Sequence, residues 1–165
     1  MSTQNDCGAL YVARVYNTLV QGHDYNPEAF TKAAQQFAQQ LTPGRIATVV
    51  ALQGDLGTGK TTFTQEAAKA LGVAEDIISP TFVIQKRYQL ENQVFGQLIH
   101  IDAYRLEGAR ELEVLGWSDI ARDPANLILI EWPEHVEGLL APETQYIYFE
   151  YIDEDTRRIS YGKKD

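Results

Sequence analysis

The sequence predicts an α/β fold in one domain, with a mixed parallel and antiparallel sheet flanked by helices. Three observations predict it. Two short runs, Ile46–Leu52 (IATVVAL) and Leu127–Ile130 (LILI), are apolar throughout, as strands covered on both faces must be. Segments with helical spacing are interleaved with these runs. Two further pairs of strand-like segments are each joined by a short polar turn, which means that part of the sheet is antiparallel.

Taken in order, residues 1 to 24 form a leader that precedes the domain proper, 25 to 165, with one possible strand near Leu10–Tyr16. Asn26-Pro27-Glu28 is a helix start: Asn caps, Pro suits the first turn, and Glu complements the positive end. Phe30, Ala33, Ala34, Phe37 and Leu41 then recur on one helical face until Thr42-Pro43-Gly44 ends the helix. After the Ile46–Leu52 strand and a glycine-rich turn, a second helix is expected from Lys60 to Leu71, closed by Gly72. Phe82–Gln89 and Val94–Ile101 are expected as a hairpin turning at Glu91-Asn92-Gln93. A short helix over Glu107–Leu115 precedes the LILI strand. The chain closes with an antiparallel pair, Tyr146–Ile152 and Arg157–Tyr161, turning at Asp153-Glu154-Asp155.

Bulk properties narrow the function. The chain has 165 residues, enough for one domain with a core that needs no staple. A single cysteine, Cys7, excludes an intramolecular disulfide. No apolar run reaches membrane-spanning length and no signal-peptide pattern precedes Ala9–Val20, so the expected location is the cytoplasm, with no membrane contact. The formal charge of −9, from 14 basic and 23 acidic residues, opposes unaided binding of nucleic acid, which relies on basic neutralisation of phosphate.

The chemistry is carried by Gly54-Asp55-Leu56-Gly57-Thr58-Gly59-Lys60-Thr61, a phosphate-loop pattern placed between a buried strand and a helix. Glycines let the backbone curl so that several N–H groups converge on one anion, and the helix N-terminus adds its dipole. The residues expected to bind nucleotide are therefore Asp55, Leu56, Gly57, Thr58, Gly59, Lys60, Thr61 and Thr62. Lys60 supplies a mobile charge to the β- and γ-phosphates, and Thr61 a hydroxyl to Mg²⁺. The fold expectation thereby sharpens to a P-loop NTPase-like domain. The guanine-reading Asn-Lys-x-Asp pattern is absent, which favours ATP.

Such sites add a carboxylate at a strand end to orient the metal. Asp102 follows Leu98-Ile99-His100-Ile101, and Glu131 follows Leu127–Ile130. Spacing does not choose between them, although Glu131 ends the cleaner apolar run. His100, within an apolar strand, is expected to be a hydrogen-bonded core histidine rather than a catalyst. Thr81 serves either a γ-phosphate or a turn cap after Pro80. Arg105 serves either phosphate, a partner or a surface ion pair, and Trp132 either stacks on a partner or base or packs in the core.

Together these segments resemble the TsaE (YjeE-type) family. Its phosphate loop carries Asp second, as at Asp55. Ser79-Pro80-Thr81-Phe82, His100-Ile101-Asp102-Ala103-Tyr104-Arg105-Leu106, Glu111-Leu112 with Gly116, and Ile130-Glu131-Trp132-Pro133-Glu134 follow in the family's order, over residues 26 to 160. The leader is longer than the family pattern, and the chain ends soon after Tyr161. The resemblance implies an ATP- and Mg²⁺-binding ATPase needed for the threonylcarbamoyladenosine modification of tRNA. It implies that the protein acts on a complex of TsaD and TsaB, and touches tRNA only indirectly. It implies Thr61 and Glu131 as Mg²⁺ ligands, Ser79–Phe82 as a switch beside the γ-phosphate, and Asp102 as a support of hydrolysis, so that Lys60, Asp102 and Thr81 are the expected catalytic set. Of Arg105, Arg110, Arg157 and Arg158, none has an anchored role in the sequence, so slow hydrolysis in isolation is expected. The alternative function is a small-molecule kinase, which needs an acceptor pocket and usually an arginine-rich lid that this sequence does not offer.

Overall fold

The structure is a computed structural model that describes residues 22–78, 80 and 82–163. The expected strand at Leu10–Tyr16 lies outside these residues. The sheet opens with β1 (His23–Tyr25), which begins inside the expected leader. There follow α1 (Pro27–Gln40), β2 (Thr48–Gly54), α2 (Lys60–Ala70), β3 (Gln85–Gln89), β4 (Gln97–Asp102), α3 (Ala109–Val114), α4 (Trp117–Arg122), β5 (Asn126–Glu131), two 3₁₀ turns (Pro133–His135 and Glu137–Leu139), β6 (Gln145–Asp153) and β7 (Thr156–Lys163).

Seven strands form one sheet in the order β1-β7-β6-β2-β5-β4-β3. The central four, β6, β2, β5 and β4, are parallel. β3 pairs antiparallel with β4, β7 with β6, and β1 with β7, so the antiparallel pairs lie at the two sides. The sheet is mixed, as the sequence predicts.

Alternation along the central strands feeds two cores. One face buries Val50, Leu52, Leu98, Leu127, Leu129 and Phe149 against Phe30, Phe37 and Phe63 of α1 and α2. The other buries Val49, Ile99, Ile101, Ile128 and Ile130 against Leu112, Trp117 and Ile120 of α3 and α4. Phe63 is fully buried, with ring centroids of Phe149, Phe37 and Phe30 at 5.3, 5.7 and 6.0 Å. This aromatic cluster fixes α2 against the end of β2 and β6.

Several elements depart from their expected bounds. α1 starts where the cap is expected, with the Asn26 side chain accepting from the Ala29 N–H at 2.9 Å, but Ala38 rather than Ala33 completes its buried face. β2 starts two residues later than Ile46, which is exposed, and continues through Gly54 because its pairing with β6 runs on to Phe149. Residues 82–84 are not strand: Val83 and Ile84 N–H groups both turn back to the Pro80 carbonyl, and Ile84 has φ 66°. α4 has no counterpart among the expected elements, since six residues are too few to show a helical period.

Candidate functional site

Parallel neighbours deliver their C-terminal ends to one side of a sheet, the usual place for a ligand in open α/β folds. Here β4 and β5 end in register and β2 runs two residues beyond them. Leu52 is in register with Glu131, and Glu131 with Asp102. Three residues past Leu52, at Asp55, the chain turns through Asp55–Gly59 and enters α2 at Lys60.

Gly57 and Gly59 have φ of 78° and 102°, a region closed to most side chains. A Cβ at Gly59 would also lie 3.0 Å from Phe30 Cζ. Thr58 is buried and its hydroxyl donates to the Asp55 carbonyl at 2.8 Å, pinning the turn from within. Asp55, Leu56, Gly57 and Thr62 are exposed around it.

The Lys60 ammonium donates to the carbonyls of Gly54 and Asp55, at 2.6 and 2.8 Å, and lies 4.2 Å from the centre of the Trp132 ring. Lys60 is buried. That burial pushes its pKa below the ordinary lysine value, against the opposing pull of Glu131, Glu134, Asp102 and Asp55. Trp132 adopts a left-handed backbone, φ 58° and ψ 50°, where β5 gives way to the first 3₁₀ turn. Its ring sits 5.0 Å from Tyr104 and 6.2 Å from His135. The tryptophan left open by the sequence is thus half-buried beside the loop lysine.

Thr61, on the first turn of α2, places its hydroxyl 2.9 Å from Glu131 Oε1 and 3.1 Å from Oε2. His100 Nε2 stands 2.9 Å from the same Oε1. Strand parity explains the convergence, because His100 and Asp102 on β4 and Glu131 on β5 all share the face that carries α2. The sequence expectation of a hydrogen-bonded core histidine is half right. His100 is fully buried, yet among the described residues its Nδ1 has no partner. Asp102 is also buried, accepts from the Tyr104 N–H at 3.0 Å, and donates its own N–H to Ile84 O at 2.9 Å.

Thr81 and Ser79 lie outside the described residues. Their neighbour Phe82 is exposed, with the Arg105 guanidinium stacked 4.6 Å from its ring. Among the described residues the contact of Arg105 is this stacking on Phe82 rather than an ion pair. Arg158 is committed to Asp24 across the β1–β7 edge, and Arg157 stacks on Tyr151. Glu134, as a charge acting on Lys60, and His100, as a partner of Glu131, were not singled out for the site by sequence reasoning. For His100 the available signal is its position two residues before Asp102, on the same face of the strand.

Residues 25–159 match the family described as threonylcarbamoyl adenosine biosynthesis protein TsaE. The chain belongs to the TsaE family. It is 40% identical over 136 residues to the tRNA threonylcarbamoyladenosine biosynthesis protein TsaE of Rickettsia felis, covering 82% of this chain and 75% of that protein. The Bacillus subtilis protein of the same name is 37% identical over 136 residues, covering 82% and 80%. The crystal structure of Bacillus subtilis YdiB superposes with a TM-score of 0.67 at 29% identity, covering 88% of this chain and 86% of that one. Outside the parallel core, this TsaE-family chain has no helix among its described residues long and apolar enough to cross a membrane.

The donor set can be tested against a divalent ion. Mg²⁺ takes oxygen ligands, commonly one or two carboxylates together with substrate phosphates and water. Thr61 Oγ1 and the Glu131 carboxylate supply such oxygens side by side at the mouth of the glycine turn, so the residues fit. Among the described residues no group of three or more His, Cys, Asp or Glu side chains is placed to hold a metal ion by itself.

Proposed function

We propose that this chain binds ATP with Mg²⁺ at the Asp55–Thr62 loop and hydrolyses it slowly, in the service of threonylcarbamoyladenosine modification of tRNA, by acting on a complex of TsaD and TsaB. The observation that carries the reading is the meeting of Thr61 and Glu131 at the N-terminus of α2, beside Lys60. Family membership and the names of the relatives support the tRNA role.

The residues divide the work as follows. Backbone N–H groups of the turn and the first turn of α2 hold phosphate oxygens. Lys60 exchanges its Gly54 and Asp55 carbonyl contacts for β- and γ-phosphate oxygens, and Trp132 shields it from water. Thr61 and Glu131 would hold Mg²⁺, with Asp102 beside them to orient water. When bound, the ion neutralises charge that develops on the phosphate oxygens. With Arg157 and Arg158 engaged at the β7 edge and Arg105 on exposed Phe82, the site brings no arginine of its own to the γ-phosphate among these three. Slow turnover follows, with a partner supplying what is missing.

The test is ADP formation under single-turnover conditions, with and without TsaD and TsaB, alongside a pull-down of those proteins with and without ATP. The expected result is ATP-dependent capture and faster ADP formation in the complex. Complete absence of ADP with both partners present, or a phosphorylated metabolite as product, would refute the proposal.

A further inference from the structure

We infer that His100 is a positioning residue for the metal-binding carboxylate: its Nε2–H bond to Oε1 of Glu131 fixes which oxygen of that carboxylate faces a divalent cation. The inference rests on the reading of Thr61 and Glu131 as Mg²⁺ ligands.

The geometry assigns unequal duties to the two oxygens. Among the described residues Oε1 has two neighbours able to donate, Thr61 Oγ1 at 2.9 Å and His100 Nε2 at 2.9 Å, whereas Oε2 has Thr61 alone, at 3.1 Å. A carboxylate accepts and cannot donate, so the proton of this contact resides on Nε2. Oε2 keeps the freer lone pairs and is the oxygen available to an ion.

The burial of His100 distinguishes orientation from mere filling. The ring is fully buried, and among the described residues Nδ1 finds no hydrogen-bond partner. A buried polar atom without a partner destabilises the fold. A histidine serving the core alone would do better as leucine, which fits the Leu98, Leu127 and Leu129 surroundings of that face. The half of the ring that is satisfied points at the one carboxylate that also meets Thr61. An outer partner that orients a metal ligand typically changes metal affinity or activity by about 10–100-fold when removed.

The experiment measures ATP affinity by calorimetry with and without Mg²⁺ in the full chain and in His100→Leu, His100→Gln and Glu131→Ala. The expected result is that His100→Leu binds metal-free ATP as the unaltered protein does, but loses about tenfold or more of the Mg²⁺ enhancement. His100→Gln, which restores an N–H donor, recovers most of it. Equal losses with and without Mg²⁺ in His100→Leu, with no recovery in His100→Gln, would overturn the inference and leave His100 a packing residue. Glu131→Ala separates the two layers of argument. An enhancement that survives Glu131→Ala overturns the metal assignment and this inference together, whereas loss in Glu131→Ala but not in His100→Leu overturns this inference alone. Should His100→Leu fail to fold, ¹⁵N NMR of the unaltered protein decides: the Nε2–H tautomer of His100 is required, and an Nδ1–H tautomer contradicts it.

Discussion

Thr61 and Glu131 are separated by 70 positions in the chain, yet the hydroxyl of one lies 2.9 Å from a carboxylate oxygen of the other. Neither the loop nor the strand makes this pair alone. It exists because β5 is the parallel neighbour of β2 and ends in register with Leu52, two residues before the end of β2.

That placement ranks the two candidate acids. Glu131→Ala should remove more of the Mg²⁺ enhancement of ATP binding than Asp102→Ala does, since the Thr61 hydroxyl lies 2.9 and 3.1 Å from the two Glu131 oxygens. A Mg²⁺ titration of nucleotide affinity in both variants checks the order; a larger loss in Asp102→Ala would reverse the assignment.

Lys60→Ala should weaken ATP binding by at least about tenfold, because a charge-assisted hydrogen bond contributes about 1.5–3 kcal/mol. Fold stability should change little or rise, since the ammonium is held in a buried setting that disfavours its charge. Calorimetry and thermal melting separate the two effects, and unchanged ATP affinity would contradict the phosphate-loop assignment.

The two loop glycines should differ. Alanine at Gly57 has open space around it and meets only the left-handed penalty of about 1–2 kcal/mol. Alanine at Gly59 carries that penalty and also presses on Phe30 Cζ at 3.0 Å. Chemical denaturation of the two variants should show the larger loss of stability in Gly59→Ala.

Phe63→Ala should destabilise by about 3–5 kcal/mol, the range for emptying a buried aromatic site. Phe63 lies two residues beyond Thr61 on α2 and contacts rings from α1 and β6. Nucleotide should therefore recover part of the lost melting temperature in this variant, a comparison made by melting with and without Mg-ATP.

At the far edge, the Arg158 hydrogen bond, followed by its charge, holds the Asp24 carboxyl below the ordinary aspartate value. A group whose folded pKa is depressed contributes above its unfolded value, about 3.9, and loses that contribution as pH falls through the folded one. Asp24→Asn should thus be slightly less stable than the unaltered protein at neutral pH and indistinguishable from it in strong acid. Both groups are solvent-exposed, so salt should shrink the neutral-pH difference.

What was legible in the sequence was local. The glycine turn, the Asn26 cap and the apolar strands announce themselves within a dozen residues, because backbone freedom, capping and burial act at that range. Strand order is not local. Choosing between Asp102 and Glu131 requires knowing that β5 lies between β2 and β4, and no spacing in the chain encodes that. A lone histidine on an apolar strand is usually satisfied locally, while the partner of His100 belongs to the neighbouring strand. β1 and α4 were missed for want of length: three and six residues do not complete a recognisable period. Residues 82–84 were read as strand because Phe, Val and Ile favour one, but Val83 and Ile84 N–H groups turn back to the Pro80 carbonyl.

The strand that carries the glycine turn is flanked by β5 on one side and by β6 on the other, and β6 comes almost last in the chain. On a ribosome, then, half of the hydrogen-bonding edge of β2 waits for a partner until the C-terminal hairpin has been synthesised. Gly54, whose neighbour across that edge is Phe149, acquires its final surroundings only at that point. A nascent chain interrupted before β6 therefore carries every residue of the loop without the wall that shapes its entrance.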